Sequence, residues 1–246
     1  MYLFANRMRI FYFISILLLS NSCVILAQQQ IGSWNILNVK QDLNKSWNLF
    51  TEAQIRSIKF YHNFHYYEYK AGLQYTVNQQ STFSFGVGKF DTYQITGNFK
   101  NPKSNNELRT WLQFTLKNNI NTLTIDHRYR AEQRFTSNGY RNRFRYRVSL
   151  LKPIKINKAE IGVYANNEIF FTNNAPYFER NRFSIGLQKK WNTNITTQLA
   201  FLNQFDYKIN DETGRNFFQI SFLFNNLFAL KMKQPNKQTN NLDSND

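Results

Sequence analysis

Arg143-Phe-Arg-Tyr-Arg-Val-Ser-Leu150 decides the fold, because polar and apolar side chains alternate at each of its positions. A period of two belongs to a β-strand whose two faces meet different surroundings. The same alternation recurs at 124–135, 182–188 and 218–224. A soluble strand with one buried face can show the pattern once, whereas its recurrence from Trp47 onward predicts a barrel with a polar lumen and an apolar outer wall.

Ten alternating segments follow one another along the chain, and none has the 3.6-residue period of a helix. We place the strands near 46–58, 64–77, 81–94, 106–118, 122–135, 141–152, 158–171, 180–191, 195–207 and 215–228. Short links at 78–80, 119–121, 153–157 and 192–194 alternate with longer or more irregular links at 95–105, 136–140, 172–179 and 208–214. Bacterial barrels alternate short periplasmic turns with longer outer loops. The sequence therefore predicts an all-β fold, a single antiparallel transmembrane β-barrel of about ten strands (ten to twelve), with both termini in the periplasm.

The residues that flank the predicted barrel, 46–228, carry separate predictions. Residues 28–45 form an N-terminal segment in which 31–39 look like an extra strand. An eleventh strand would break the even count, so 31–39 would pair at the barrel seam, sit in the lumen, or belong to a twelve-strand arrangement. Residues 229–246 are polar and rich in Asn, Gln and Lys, which predicts a disordered periplasmic tail.

The N-terminal residues, 1–27, have the organisation of a cleaved signal peptide. Two arginines precede a short apolar run, Ile10–Leu19, and Ala27 is a small residue at the expected cleavage point. The run is shorter than the about 20 residues of a spanning helix, which disfavours an uncleaved anchor. Cys23, the only cysteine, would be lipidated in a lipoprotein, but 20–22 lack the usual aliphatic residue ahead of it. Cleavage after Ala27 leaves no cysteine for a disulfide, a nucleophile or a metal site.

The chain is strongly basic, with a formal net charge of +16 at pH 7. Such a balance is typical of nucleic-acid-binding proteins, but an exported chain meets little nucleic acid, so we expect no nucleic-acid partner. The expected location is the outer membrane of a Gram-negative cell, reached through the signal peptide. The expected partners are therefore anionic: outer-membrane lipids, lipopolysaccharide or a small anionic solute.

The most conspicuous polar side chains form a ladder on the predicted inner face of four consecutive strands. The arginines are Arg128, Arg130, Arg134, Arg143, Arg145, Arg147, Arg180 and Arg182. The carboxylates are Asp126, Glu132, Glu160 and Glu168. In a narrow barrel these groups would fill the lumen and pair with one another. The excess of arginine would also leave guanidinium groups for a ligand carboxylate or phosphate, which predicts an anion-binding site in the lumen.

Five segments combine arginine, asparagine, glutamate or glutamine and aromatic residues in a characteristic order. They are Arg128-Tyr-Arg-Ala-Glu-Gln-Arg-Phe135, Asn142-Arg-Phe-Arg-Tyr-Arg147, Asn167-Glu-Ile-Phe170, Asn181-Arg-Phe183 and Leu202-Asn-Gln-Phe205. Together they resemble a large family of uncharacterised bacterial outer-membrane β-barrel proteins, known only as a domain of unknown function. The resemblance covers most of the chain after residue 27. It implies the fold and the location, and it supplies no catalytic residues.

We expect a non-enzymatic barrel that acts as a structural component, a binding protein or a narrow pore. The main alternative is a lipid-modifying enzyme of the outer leaflet, of the phospholipase or lipid A deacylase type, using His62, His65 or His127. Such enzymes often carry a His-x-Ser motif on the barrel wall, and none of the three histidines stands in one. A further alternative is a secreted soluble lipid-binding barrel.

No metal site is predicted, because His62 and His65 would face opposite sides of a strand and no cysteine or carboxylate cluster accompanies them. The sequence also contains neither a glycine-rich phosphate loop nor a dinucleotide-binding fingerprint, so we expect no cofactor.

Overall fold

The computed structural model describes residues 30–95, 97–100, 102–156, 159–207 and 213–228, which form eleven β-strands. The strands are β1 (Ile31–Asp42), β2 (Trp47–Lys59), β3 (His62–Thr76), β4 (Ser81–Tyr93), β5 (Lys103–Ile120), β6 (Leu123–Thr136), β7 (Gly139–Ile156), β8 (Ala159–Thr172), β9 (Phe178–Lys190), β10 (Ile195–Asp206) and β11 (Thr213–Asn225). No helix long and apolar enough to cross a membrane occurs among these residues. The signal peptide predicted at 1–27 and the tail predicted at 229–246 lie outside the described residues.

The eleven strands close into one barrel. Strands adjacent in the chain pair antiparallel, as in β6 and β7, where Glu132 lies opposite Arg143. The exception is the seam, where β1 and β11 run parallel from Ile31 to Lys40. When successive strands alternate in direction, the first and last of an odd set point the same way, so their pairing has to be parallel. The all-β barrel and its range of ten to twelve strands are confirmed, and the segment at 31–39 takes the seam position.

The two ends of the barrel differ in the lengths of their links. The turn end has the links 43–46, 77–80, 121–122, 157–158 and 191–194, and the loop end has 60–61, 94–102, 137–138, 173–177 and 207–212. The three longest links all lie at the loop end. The long link predicted at 136–140 is wrong, because Ser137 and Asn138 form a two-residue turn and Gly139 follows with a φ of 103°. Glycine adopts this left-handed backbone without steric cost, which suits a tight hairpin.

The termini of the barrel lie at opposite ends. β1 begins at the loop end, whereas β11 finishes at the turn end. The prediction that both termini share one end is therefore wrong. It rested on ten strands, and β1 adds one further crossing of the barrel.

The barrel is polar inside and apolar outside. In β7, the outward Phe144 is 54% exposed while the inward Arg143 is 3% exposed. Aromatic pairs stand on the outer wall at both ends, with ring centroids 4.9 Å apart for Trp47 and Tyr75 and 5.2 Å apart for Phe135 and Tyr140. The alternation in the sequence thus places charged residues in the lumen and large apolar residues on the outer wall.

Several aromatic residues break this alternation and point into the lumen, among them Phe50 and Trp111. Phe50 on β2 and Trp111 on β5 have ring centroids 6.4 Å apart. They lie against glycines of the two strands between them. A Cβ on Gly72 would be 2.6 Å from the Phe50 ring, and one on Gly86 would be 2.2 Å from the Trp111 ring. The glycines therefore provide the room that lets two large rings enter the lumen.

Candidate functional site

Several inward side chains pack together toward the turn end of the lumen. Phe50 and Trp111 occupy the side formed by β2 to β5. Polar atoms of inward residues at this level are sealed from solvent, among them Asp126 Oδ1, Arg147 Nε and Tyr164 OH. These residues form a floor, which we define as the packed layer between the turn end and the middle of the lumen.

The loop-end half of the lumen encloses a chamber of about 650 Å³. Residues of every strand except β8 line it, and its rim includes the exposed residues Gln94, Ile95 and Ser104 at the loop end. The chamber therefore opens toward the loop end and is bounded below by the floor.

Positive charge dominates the chamber. Among the described residues its wall carries Lys70 and nine arginines against four carboxylates. The arginines are Arg56, Arg109, Arg130, Arg134, Arg143, Arg145, Arg180, Arg182 and Arg215, and the carboxylates are Glu68, Glu107, Glu179 and Asp206. A cleft lined mainly by one sign of charge, with low-dielectric walls, concentrates counter-ions.

Glu132 is the centre of the ion-pair network on the wall formed by β5, β6 and β7. It is 1% exposed, and its carboxylate lies 2.6 Å from Arg143 Nη2 and 2.7 Å from Arg145 Nη1. Arg109 and Arg130 approach the same carboxylate to 3.6 Å. Four guanidinium groups therefore share one buried negative charge.

Two further carboxylates complete this wall near the rim. Glu107 accepts a hydrogen bond from Arg134 Nε at 2.7 Å and lies 2.6 Å from Arg109 Nη2. Glu179 on β9 lies 3.2 Å from Arg134 and 3.3 Å from Arg143. Most arginines of this wall are thus held by carboxylates, as expected if the ladder residues fill the lumen and pair with one another.

Inward aromatic rings support the arginines from behind. Phe170 on β8 is completely buried, and the guanidinium carbons of Arg145 and Arg182 lie 4.6 and 4.8 Å from its ring centroid. Trp34 on β1 is 3% exposed, with the guanidinium carbon of Arg56 at 3.4 Å and that of Arg182 at 4.9 Å. Cation–π contacts fix guanidinium groups without neutralising their charge.

The wall next to the seam differs from the wall on β5 to β7 because two of its arginines form no ion pair with another described residue. Arg182 on β9 and Arg215 on β11 both line the chamber, and neither has a carboxylate oxygen within 4 Å among the described residues. Arg56 is shared between this wall and Glu68, at 3.1 Å. Among the described residues of the chamber, the arginines without an ion pair therefore lie beside the seam.

The structure brings together most of the predicted ladder. Arg130, Arg134, Arg143, Arg145, Arg180 and Arg182 line the chamber. Glu132 and Glu168 lie behind its wall, where Glu168 pairs with Arg145 at 2.7 Å and with Arg128. Whether any of these residues binds a ligand stays a prediction.

The other four predicted residues lie away from the chamber and its wall. Arg128, Arg147 and Asp126 belong to the packed turn-end half. Glu160 is the second residue of β8 and is exposed opposite Lys155, at the turn-end margin of the barrel. Its position in the alternation is that of an inward residue, but the enclosed lumen does not extend to this margin of the barrel.

Sequence reasoning missed Arg56, Arg109 and Arg215. Each stands on the polar face of an alternating segment; Arg56, for example, shares its face with Glu52 and Gln54. Their positions on polar faces indicated that they point into the lumen, but single arginines are less conspicuous than the dense ladder on β6 and β7.

The histidines occupy three different environments. His127 is on the outer wall, where its Nδ1 lies 2.8 Å from the Tyr146 hydroxyl. His65 is buried, and His62 is exposed at the loop end. Within the described part of the chain, no serine or threonine hydroxyl hydrogen-bonds to a histidine, and no group of three or more His, Cys, Asp or Glu residues is placed to hold a metal.

A family model described as "Protein of unknown function (DUF2490)" matches residues 31–215. The match begins at the first residue of β1 and ends within β11, and it confirms the family resemblance. No curated protein matches the chain. Among solved structures, LpxR from Salmonella typhimurium is similar with a TM-score of 0.44 at 9% sequence identity, covering 72% of this chain and 83% of that chain.

Proposed function

We propose that this chain, which belongs to the DUF2490 family of proteins of unknown function, is an outer-membrane barrel that binds a small anionic solute in a blind chamber. The observation that carries the proposal is the chamber itself, in which nine arginines and Lys70 face four carboxylates. The binding role is the version of the non-enzymatic interpretation that this geometry favours.

The polarity of the two walls supports a membrane location. Soluble proteins seldom expose large continuous apolar surfaces. Here the outer wall exposes Phe83, Leu112, Phe144 and Ile185 by about half to two-thirds of their surface, whereas Arg143 and Glu132 are buried inside. A barrel that is apolar outside and charged inside suits a hydrocarbon solvent. A soluble lipid-binding barrel would need the opposite arrangement.

The signal peptide expected at 1–27 and the family resemblance support the outer membrane as the location. In bacterial barrels the longer loops face outward. The chamber, which opens at the loop end, would then receive solutes from the cell exterior.

The floor supports a binding role over a pore. Phe50 and Trp111 lie on the β2 to β5 side of the lumen, and Asp126, Arg147 and Tyr164 have polar atoms sealed from solvent on its other side. A solute that enters at the loop end meets packed side chains rather than a continuous aqueous path. We therefore expect retention of the solute, and passage only after a rearrangement of the floor.

Titration of the purified barrel in detergent tests the proposal. Phosphate, citrate and acetate are compared with the cation spermidine, and the readouts are calorimetric heat and tryptophan fluorescence. We expect at least one anion to bind with an affinity that falls as salt rises, because the arginines act through their charge. Equal or stronger binding of spermidine, or no binding of any anion, would contradict the proposal.

Planar-bilayer recordings test the blind chamber. The unmodified barrel should show no steady conductance, whereas the double variant Phe50→Ala/Trp111→Ala should conduct because it removes the two rings of the floor. Steady conductance of the unmodified protein would favour the pore. Folding and location are checked in the same preparations by electrophoresis with and without boiling. A band that shifts on boiling should occur in the outer-membrane fraction and be absent from the soluble fraction.

A further inference from the structure

We infer that Arg182 and Arg215 form a clasp for a doubly charged tetrahedral oxyanion, a phosphate or phosphate monoester. The inference rests on the proposed function and assigns its binding site and ligand class. The clasp comprises three residues in one row across neighbouring strands: Arg182 on β9, Gln204 on β10 and Arg215 on β11.

The register of the strands creates this row. Gln204 pairs with Arg182 on one side and with Arg215 on the other. Directly opposite residues of antiparallel strands have Cα atoms about 4.5 to 5.5 Å apart, so the two arginine Cα atoms are about 10 Å apart. Both side chains line the chamber. Two long side chains with this spacing can converge on one anion.

Gln204 holds Arg182 in place without neutralising it. Its Oε1 accepts a hydrogen bond from Arg182 Nε at 2.8 Å, and its Nε2 donates to Asp206 Oδ2 at 2.8 Å. The second hydrogen bond fixes the amide, so the oxygen always faces the arginine. Asp206 itself pairs with Arg180, which keeps its charge away from Arg182.

Aromatic rings complete the positioning of Arg182. Its guanidinium carbon lies 4.9 Å from the Trp34 centroid and 4.8 Å from the Phe170 centroid. The terminal nitrogens have no hydrogen-bond partner among the described residues. A guanidinium that is fixed at Nε and stacked on rings presents its remaining N–H groups in a set direction, which lowers the entropy cost of binding.

Charges of both signs lie around the clasp. Glu168 attracts the Arg182 guanidinium, but it pairs with Arg145 at 2.7 Å. Arg180 and Arg56 are close enough to repel that guanidinium. Their carboxylate partners, Asp206 and Glu68, are already engaged. An anion between Arg182 and Arg215 would relieve this repulsion, and the wall on β5 to β7 offers no equivalent site because Glu107, Glu132 and Glu179 occupy it.

The chemistry of the site selects the ligand class. Two guanidinium forks offer at least four N–H donors and two positive charges, which a tetrahedral dianion can match and a monocarboxylate cannot. Trp34 and Phe170 are almost fully buried behind guanidinium groups. The clasp therefore offers little apolar surface, and a ligand with an aromatic or acyl part would gain nothing from it.

The binding test uses the purified, heat-modifiable barrel in detergent, titrated with inorganic phosphate and with acetate at equal ionic strength. Phosphate should bind at least about tenfold more tightly than acetate, since bidentate charged hydrogen bonds are the stronger kind. Arg182→Gln and Arg215→Gln should each weaken phosphate binding about tenfold or more. The double variant should lose little beyond the single ones, because both residues hold the same anion.

Control variants separate the clasp from general charge. Lys155→Gln removes one exposed positive charge at the turn end and should leave phosphate affinity unchanged. Arg182→Lys keeps the charge but loses the fork, so it should fall between the unmodified protein and Arg182→Gln. A Gln variant that does not fold is replaced in the comparison by its Lys counterpart.

A second titration distinguishes the two sources of phosphate. Detergent micelles that contain phosphatidic acid are compared with free inorganic phosphate. Binding of both supports a general phosphate clasp, and binding of the lipid alone assigns the clasp to a lipid headgroup. The inference is overturned if phosphate affinity survives both Gln substitutions, or if acetate binds as tightly as phosphate does. Either result would leave the proposal of an anion-binding chamber intact. If no anion binds to the barrel, the proposed function is overturned as well.

Discussion

Glu132 is a carboxylate with almost no solvent contact, and its charge is tolerated because guanidinium groups surround it. Removing a carboxylate from water costs several kcal/mol, which is offset only when its partners are close and well oriented. Arg143 and Arg145 lie within 2.7 Å and supply that compensation. The arginines depend on Glu132 in turn, since without it they would face one another.

Glu132→Gln should therefore destabilise the barrel strongly. We expect a loss of about 3 to 5 kcal/mol in the free energy of unfolding, the usual cost of breaking a buried ion pair from one side. The measurement is urea unfolding of the barrel in detergent micelles, with loss of the heat-modifiable band as the readout. Glu160→Gln is the matched control, because Glu160 is exposed and has no ion pair among the described residues. A similar loss of unfolding free energy in the two variants would contradict the stabilising role of the ion-pair network around Glu132.

At this scale the sequence predicted which side chains face the lumen but not which of them pair. Alternation placed Arg128, Arg145 and Arg182 on one face, and the structure agrees. Yet Arg145 is held by two carboxylates and Arg182 by none within 4 Å among the described residues. Pairing depends on strand register, which the composition of a single strand does not specify.

The seam is the element on which closure of the barrel depends. β1 approaches β2 closely at Gly32, where a Cβ would lie 2.3 Å from the Ser57 carbonyl oxygen and 2.7 Å from the Phe217 ring. Beside it, the hydroxyl oxygens of Ser33 and Ser57 are 2.6 Å apart. The inward Trp34 packs with Leu202 and Phe217 in a small apolar cluster. Only glycine fits at position 32 without moving the backbone.

Gly32→Ala should loosen the seam. We expect a loss of about 1 to 3 kcal/mol in unfolding free energy, the range for overpacking a well-packed site. Gly214→Ala on β11 is the control, since the nearest atom of a described residue to its added Cβ is 3.9 Å away. For both variants, stability is measured as the temperature at which half of the heat-modifiable band is lost. A Gly32→Ala barrel as stable as the Gly214→Ala barrel would contradict the close approach.

Ten of the eleven strands were predictable because each carries its own alternation. The segment at 31–39 was recognised as a strand, but its partner was not. Its neighbour β11 lies at the other end of the chain, and the parallel pairing between them follows from the count of strands. A local pattern cannot contain that information, because it depends on all the strands together.

The odd strand count governs the topology of the whole molecule. Residue 30 stands at the loop end, and residue 227 stands at the turn end. A barrel with an even count would bring both positions to the same end. The two termini should therefore meet different compartments in the membrane.

Single-cysteine labelling tests this topology, and Cys23 in the expected signal peptide is the only native cysteine. On intact cells, an impermeant maleimide should label Gln30→Cys together with Asn138→Cys at the loop end. Leu227→Cys and Lys45→Cys at the turn end should react only after permeabilisation. The reason is that the proposed orientation places the two pairs on opposite sides of the bilayer. Equal labelling of Gln30→Cys and Leu227→Cys on intact cells would contradict the parallel seam.

The sequence by itself determined that the chain is an all-β barrel, which face each side chain takes, and which family the chain belongs to. The fold and the faces follow from a period of two, which is local and survives any change of partner, whereas the family follows from the resemblance that five segments carry. Only the tertiary structure decided that β1 closes the barrel, that Phe50 and Trp111 form a floor, and that Arg182, Gln204 and Arg215 stand in one row. The physical reason is register: sliding a strand by two residues preserves its alternation but changes every neighbour across the sheet.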